Sequence, residues 1–211
     1  DSRPAKRRLL VDALLQSEEF NEYWTLQFAK LLRIRPQPDD DQGALIYHKW
    51  VAEQIKNNVG YRQMVRELIL ASGDTHESGP ANFYRTFRGQ RELAEFASEL
   101  FMGSRLRCAN CHNHPLDRWT QDDYHGLAAI FAKVERGRVI GEKPNGKTIH
   151  PRTRAPATQR IPGQAIPRRE RNEWTSATGR LVDRTIQPLF REGDRQSSLE
   201  EDDGTRLGGA R

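Results

Sequence analysis

Apolar residues in the first 130 positions recur mainly at spacings of three and four, the period of helices that bury one face. Capping residues, prolines and glycines divide this region into about six predicted helices. Ser17 and Thr120 have hydroxyl side chains that favour helix N-caps, and acidic residues follow each of them in the first turn. The predicted helices begin at Ser2–Pro4 and Ser17, cover about 43–57, 61–71 and 90–102, and begin again at Thr120. The pattern therefore predicts an all-α fold, an irregular helical domain.

The composition of the chain and its hydrophobic periodicity change near residue 152. The last 60 residues contain many arginines, no lysine and few large aliphatic residues, and they show no helical or alternating period. We therefore expect a helical domain over 1–150 and a linker or disordered tail over 151–211. A frame change near 153–155 is one hypothesis for this shift, because codons permitted for Arg180–Arg211 can be chosen so that the neighbouring frame encodes a helical segment.

Composition excludes several classes of function. The net charge of +5 is spread along the chain without a lysine-rich block, and hydrophobic residues make up 36%. We therefore expect no nucleic-acid partner. No apolar run approaches the roughly 18 residues that a membrane span needs. Neither a phosphate-binding glycine loop, a nucleophile elbow nor a metalloprotease helix is present, so no catalytic residues are assigned.

The two cysteines of the chain both lie in one pentapeptide, Cys108–His112, with the sequence Cys-Ala-Asn-Cys-His. Cys-x-x-Cys-His is the attachment signature of haem c, in which two thiols form thioethers and the histidine ligates iron. Two other interpretations remain open. With His114, the cluster also has ligand types that suit zinc, although all four come from seven consecutive residues. A redox-active or buried dithiol is the other interpretation.

Residues 99–132 extend this motif into a longer pattern, Phe-x-Gly-x-x-x-x-Cys-x-x-Cys-His-x-His-Pro-x-Asp-x-Trp-Thr-Gln-x-Asp-Tyr-x-Gly-Leu-Ala-Ala-x-Phe-Ala. The segment resembles the planctomycete cytochrome c family domains of unknown function, and the earlier helices that contain Arg8–Ser17 and Tyr61–Ile69 share the resemblance. The family implies an extracytoplasmic, haem-carrying helical domain of a large multidomain protein. Because Asp1 is not an initiator methionine, we expect the sequence to be a piece of such a protein, with any targeting segment upstream.

Several residues near the motif are candidates for haem contact. We expect His112 to be an axial iron ligand. His114 lies too close along the chain to reach the opposite face, so a hydrogen bond suits it better. Arg118 has the guanidinium group that pairs with propionates, and Trp119 packs on the haem edge or in the core. The favoured ligand for the second face is His125; the other candidates are Met102, His76, Met64 and His48.

The sequence thus predicts a haem c (iron) redox or electron-transfer module of an exported, periplasmic protein, with an unknown redox partner protein and adjacent domains in a longer chain. A structural zinc or interaction domain is one alternative. A haem-assisted accessory domain of an extracytoplasmic enzyme is another.

Overall fold

A computed structural model describes residues 5–162 of the 211-residue chain. The described chain divides into two compact units, one formed by 5–89 with 133–146 and the other by 90–132 with 147–162. Helices dominate, as predicted, but a small three-stranded sheet is also present. The all-α prediction is therefore wrong in this one respect. The predicted start of the first helix at Ser2–Pro4 lies outside the described residues.

Four α-helices and one 3-10 helix form most of the first unit. Ser17 caps the second helix, because its hydroxyl accepts a hydrogen bond from the amide of Phe20 at 3.2 Å. Asp40 caps the third helix through the amide of Gly43, also at 3.2 Å. The elements are α1 (Lys6–Leu15), α2 (Glu18–Leu31), α3 (Asp41–Lys56), α4 (Tyr61–Leu70) and the 3-10 helix Pro80–Arg85.

The core of the first unit comes mainly from α3, α4 and the 3-10 helix. Val51, Val65 and Phe83 are fully buried there. Helix α1 differs, since none of its residues is buried and the predicted apolar face stays exposed. Helix α2 buries Thr25 and Ala29 inside its span, whereas Trp24 and Leu31 on the predicted face are exposed.

The sheet joins distant parts of the first unit in the order β1, β3, β2, with both pairings antiparallel. Its strands are β1 (Gly73–Asp74), β2 (Val134–Glu135) and β3 (Val139–Glu142). Strands of two to four residues are too short to display an alternating pattern. The sequence therefore has no signal that reveals this sheet.

The second unit is built on α5 (Gln90–Met102) and α6 (Gln121–Phe131), which pack against each other. Thr120 starts α6 with the predicted cap: its hydroxyl accepts from the Asp123 amide, and the Asp123 carboxylate accepts from the Thr120 amide. Ten of the eleven residues of α6 are buried, all except Asp122. The Cys-x-x-Cys-His motif lies between these helices, as predicted.

Residues 147–162 pack against α6. The amide of Arg160 donates to the Gly126 carbonyl at 3.2 Å, and Ile161 is buried. The described part of the predicted tail, 151–162, therefore belongs to the second unit, including positions beyond the hypothesised frame change. The rest of that tail, from 163 onward, lies outside the described residues. Among residues 5–162, no helix is both long enough and apolar enough to span a bilayer.

Candidate functional site

Cys108 lies on a short 3-10 helix, Arg107–Asn110, and Cys111 follows directly after it. We call Cys108–His112 the CxxCH turn. Both thiols are exposed and neither forms a disulfide. Ala109, between them, is fully buried, and its amide donates to the Leu106 carbonyl at 2.8 Å. The backbone of the turn is thus held against the second unit while both sulfur atoms remain accessible.

The imidazole of His112 is exposed at the end of the turn. Its Nδ1 lies 2.7 Å from the carbonyl oxygen of Asn113. Because a carbonyl only accepts hydrogen bonds, Nδ1 carries the proton of the neutral ring, and Nε2 keeps its lone pair. A backbone carbonyl that fixes the tautomer in this way is typical of metal-ligating histidines.

His114 has the opposite arrangement. Its Nδ1 accepts from the amide of Leu116 at 3.3 Å, so the proton of the neutral ring lies on Nε2. The His114 amide donates to the Trp119 carbonyl at 2.8 Å, which closes the loop between them. The predicted hydrogen-bonding role agrees with this geometry, and neither nitrogen of this tautomer offers a free lone pair.

Trp119 and Arg118 stack on each other at the far end of that loop. The guanidinium carbon lies 4.7 Å from the centre of the indole ring. Trp119 is buried, while Arg118 is exposed. Among the described residues, the indole Nε1 is a buried donor without a hydrogen-bond partner.

Polar groups of helix α6 form hydrogen bonds with the CxxCH turn and with Asn113 directly after it. The carbonyl oxygen of Asn110 lies 3.1 Å from His125 Nε2 and 3.4 Å from Gln121 Nε2. The backbone N–H of Gln121 also donates to Asn113 Oδ1 at 3.2 Å. Three contacts from one helix therefore fix the backbone on both sides of Cys111.

His125, predicted as an iron ligand, is fully buried on α6. Burial lowers the pKa of its imidazole, so the ring is neutral at pH 7. Its neighbour Tyr124 donates to Glu95 Oε1 at 2.7 Å, and burial together with that carboxylate raises the pKa of the phenol. The structure brings His125 to the CxxCH turn through Asn110.

The zinc interpretation requires several ligands to converge on one point. Among residues 5–162, no three side chains of histidine, cysteine, aspartate or glutamate lie close enough together to hold a metal ion. Both thiols and the His112 imidazole are exposed at the surface.

A protein family model matches residues 1–136 of the chain, nearly two thirds of its length. The family is PSCyt2, described as a protein of unknown function (DUF1549). The chain belongs to this family. No curated protein and no solved structure matches it.

Membership of PSCyt2 confirms the resemblance at the level of the family, whose description names no activity. The CxxCH turn lies inside the matched region, whereas 147–162 follow it. The sequence pattern predicted the thiols and His112 as site residues but did not reveal the contacts of Asn110 with Gln121 and His125. Only Gln121 had a sequence signal, its position directly after the Thr120 cap.

Proposed function

We propose that this PSCyt2 domain carries one covalently attached haem c and transfers electrons. The observation that carries the proposal is the pair of free, exposed thiols on a turn whose backbone is fixed, followed at once by an exposed imidazole in the ligating tautomer. When bound, haem supplies one-electron redox chemistry. The residues of the chain attach it, orient it and ligate it.

Cys108 and Cys111 make the attachment. Each thiol adds across one vinyl group: the sulfur bonds to one carbon, the proton goes to the other, and no oxidant is needed. Two thiols separated by two residues on a fixed turn reach two vinyl groups on the same side of one ring. The exposure of both sulfur atoms leaves room for a planar group outside the fold.

His112 would hold the haem iron through Nε2. The Asn113 carbonyl orients the ring by accepting a hydrogen bond from Nδ1–H, which leaves the lone pair on Nε2. Arg118, which is exposed and stacks on the buried Trp119, would pair its guanidinium with the acidic edge of the haem.

The setting we propose is extracytoplasmic, in the periplasm, within a longer protein that has adjacent domains. An exposed turn brings the haem edge to the surface, where a redox partner protein can approach it. This location rests on the sequence resemblance and on the chemistry of the motif.

The test is expression of residues 1–211 with an export leader in a host that has a c-type maturation system. We expect one iron per chain, haem that stays bound on a denaturing gel, and a pyridine haemochrome spectrum typical of two thioether bonds. Elemental analysis gives the counter-outcomes: stoichiometric zinc without a Soret band favours the zinc alternative, and neither metal nor haem contradicts the proposal.

A further inference from the structure

The side chain of His125 lies at the centre of a column of rings in the second unit. Its ring centroid is 4.9 Å from that of Tyr124 and 4.9 Å from that of His150, and both pairs meet edge to face. No part of His125 is exposed. Its position is therefore set by packing on several sides, with little freedom to rotate.

The hydrogen-bonding state of His125 follows from its neighbours. Nε2 faces the Asn110 carbonyl at 3.1 Å and must carry the proton, because that oxygen can only accept. Nδ1 is buried without a partner among the described residues. The single N–H of the ring is thus committed to the backbone between the two cysteines.

His150 in turn is fixed from the other side. Its Nδ1 accepts from the Arg152 amide at 3.2 Å, and its Nε2 lies 3.1 Å from a carboxylate oxygen of Asp122, although the N–H is not aligned on that oxygen. His150 is almost completely buried. The loop that follows the family match therefore holds the ring that packs against His125.

The close approach of this loop depends on Gly126, the residue after His125. A Cβ at Gly126 would lie 2.5 Å from Arg160 Cβ and 3.1 Å from the Thr158 carbonyl oxygen. The absence of a side chain lets residues 158–160 lie directly on α6, next to the histidine pair. The contacts between residues 158–160 and α6 are therefore as close as those inside a packed protein core.

We propose that His125 is a positioning residue that fixes the CxxCH turn through its N–H···O=C bond to Asn110, and that His150 holds His125 in place. The attachment site of this chain then extends beyond residue 136, where the family match ends, to the loop at 148–160. The link to haem rests on the proposed function; the effect on the turn does not.

Two substitutions of similar size separate hydrogen bonding from packing. His125→Gln keeps an N–H donor but loses the ring, whereas His125→Phe keeps a ring but loses the donor. His48→Gln, at an exposed position on α3, is the control. The readout is amide hydrogen exchange of Ala109 in the haem-free full chain, together with the yield of covalent haem after maturation.

We expect His125→Phe to accelerate exchange at Ala109 about tenfold, the effect of losing one buried hydrogen bond, and to lower the haem yield. His125→Gln should stay within about threefold of the unsubstituted chain, and His150→Ala should again accelerate exchange. If His125→Phe does not fold, Gln121→Ala removes the other donor to the same carbonyl and should also accelerate exchange.

The opposite pattern overturns the proposal: normal exchange in His125→Phe and accelerated exchange in His125→Gln would mean that the ring only fills space. Normal exchange in His150→Ala would contradict the role of the 148–160 loop. If the unsubstituted chain acquires no haem but the exchange pattern holds, the proposed function fails and the positioning role stands.

Discussion

Two polar sites in the molecule, one in each unit, differ in what their side chains are free to do. In the first unit, Asp40 accepts from Arg85 Nη1 at 2.5 Å, His76 Nε2 at 2.8 Å and the Gly43 amide at 3.2 Å. We call Asp40, His76 and Arg85 the Asp40 cluster. In the second unit, the CxxCH turn exposes two thiols that form no disulfide. The polar groups of the Asp40 cluster bind one another, whereas those of the CxxCH turn face solvent.

This difference separates structural from chemical roles. The carboxylate of Asp40 is enclosed by donors from α3, the 3-10 helix and the segment after β1, so it connects elements of the first unit. A nucleophile or metal ligand needs access and a free lone pair, which the thiols and His112 Nε2 provide. The Asp40 cluster has the residue types of an active site, but its carboxylate is already occupied by three donors.

The largest expected effect is the loss of all haem. Cys108→Ala combined with Cys111→Ala removes both thioether bonds, so we expect no haem on a denaturing gel. The helices should remain, because α5 and α6 bury their apolar faces without the thiols. Circular dichroism of the haem-free protein provides the control. Covalent haem in this variant would contradict the assignment of the CxxCH turn.

The next effect is on ligation. His112→Ala removes the nitrogen that we assign to iron, and we expect a strong change in the Soret band of the matured protein. His114→Ala is the matched control: it loses the bond from the Leu116 amide but no lone pair available for iron, so the spectrum should change little. Spectral changes of equal size in both variants would show that the tautomer argument is wrong.

Asp40→Asn should affect stability instead of haem. The Arg85 guanidinium, followed by the Gly43 amide and His76, holds the pKa of Asp40 well below its ordinary value of 3.8. The asparagine keeps the size and the helix cap but loses the charge. We expect the melting temperature at pH 7 to fall by about 5 °C with haem stoichiometry unchanged.

The pH dependence of that difference has a defined sign. A carboxylate whose pKa is lowered by folding contributes its stability fully above about pH 4 and loses it as the pH falls toward the lowered pKa. The gap in melting temperature between the natural chain and Asp40→Asn should therefore shrink below pH 4. Asp12→Asn, at a largely exposed ion pair with Arg8, should change little at any pH.

Most of the helical framework could be predicted because its signals are local. The α5 boundaries, Gln90–Met102, follow from a regular apolar period that ends at Gly103, whose positive φ of 61° suits glycine. The caps at Ser17 and Thr120 are read from a few adjacent residues. The exposure of α1 was not predictable, since a helical period indicates an apolar face but not what covers it.

Only the part of the site that is contiguous in the sequence could be predicted, because sequence signals are local. The thiols and His112 form a contiguous motif, and the resemblance places His125 on the following helix. The Asn110 contacts join residues 11 and 15 positions apart, and the contact between His125 and His150 spans 25 positions that include the end of α6, β2 and β3. No period or cap encodes such pairings. The pairing of β1 with β3, more than 60 residues apart, was missed for this reason too.

The smallest predicted effect distinguishes the two units through their helix caps. Thr120→Ala and Ser17→Ala each remove one capping hydroxyl, and we expect each to cost about 1 kcal/mol of unfolding free energy. Only Thr120 begins the helix that holds the CxxCH turn, because Gln121 and His125 follow it. Exchange at the Ala109 amide should therefore rise a few-fold in Thr120→Ala and stay unchanged in Ser17→Ala. Equal exchange in the two variants, despite equal losses of stability in denaturant titrations, would mean that the turn does not depend on the start of α6.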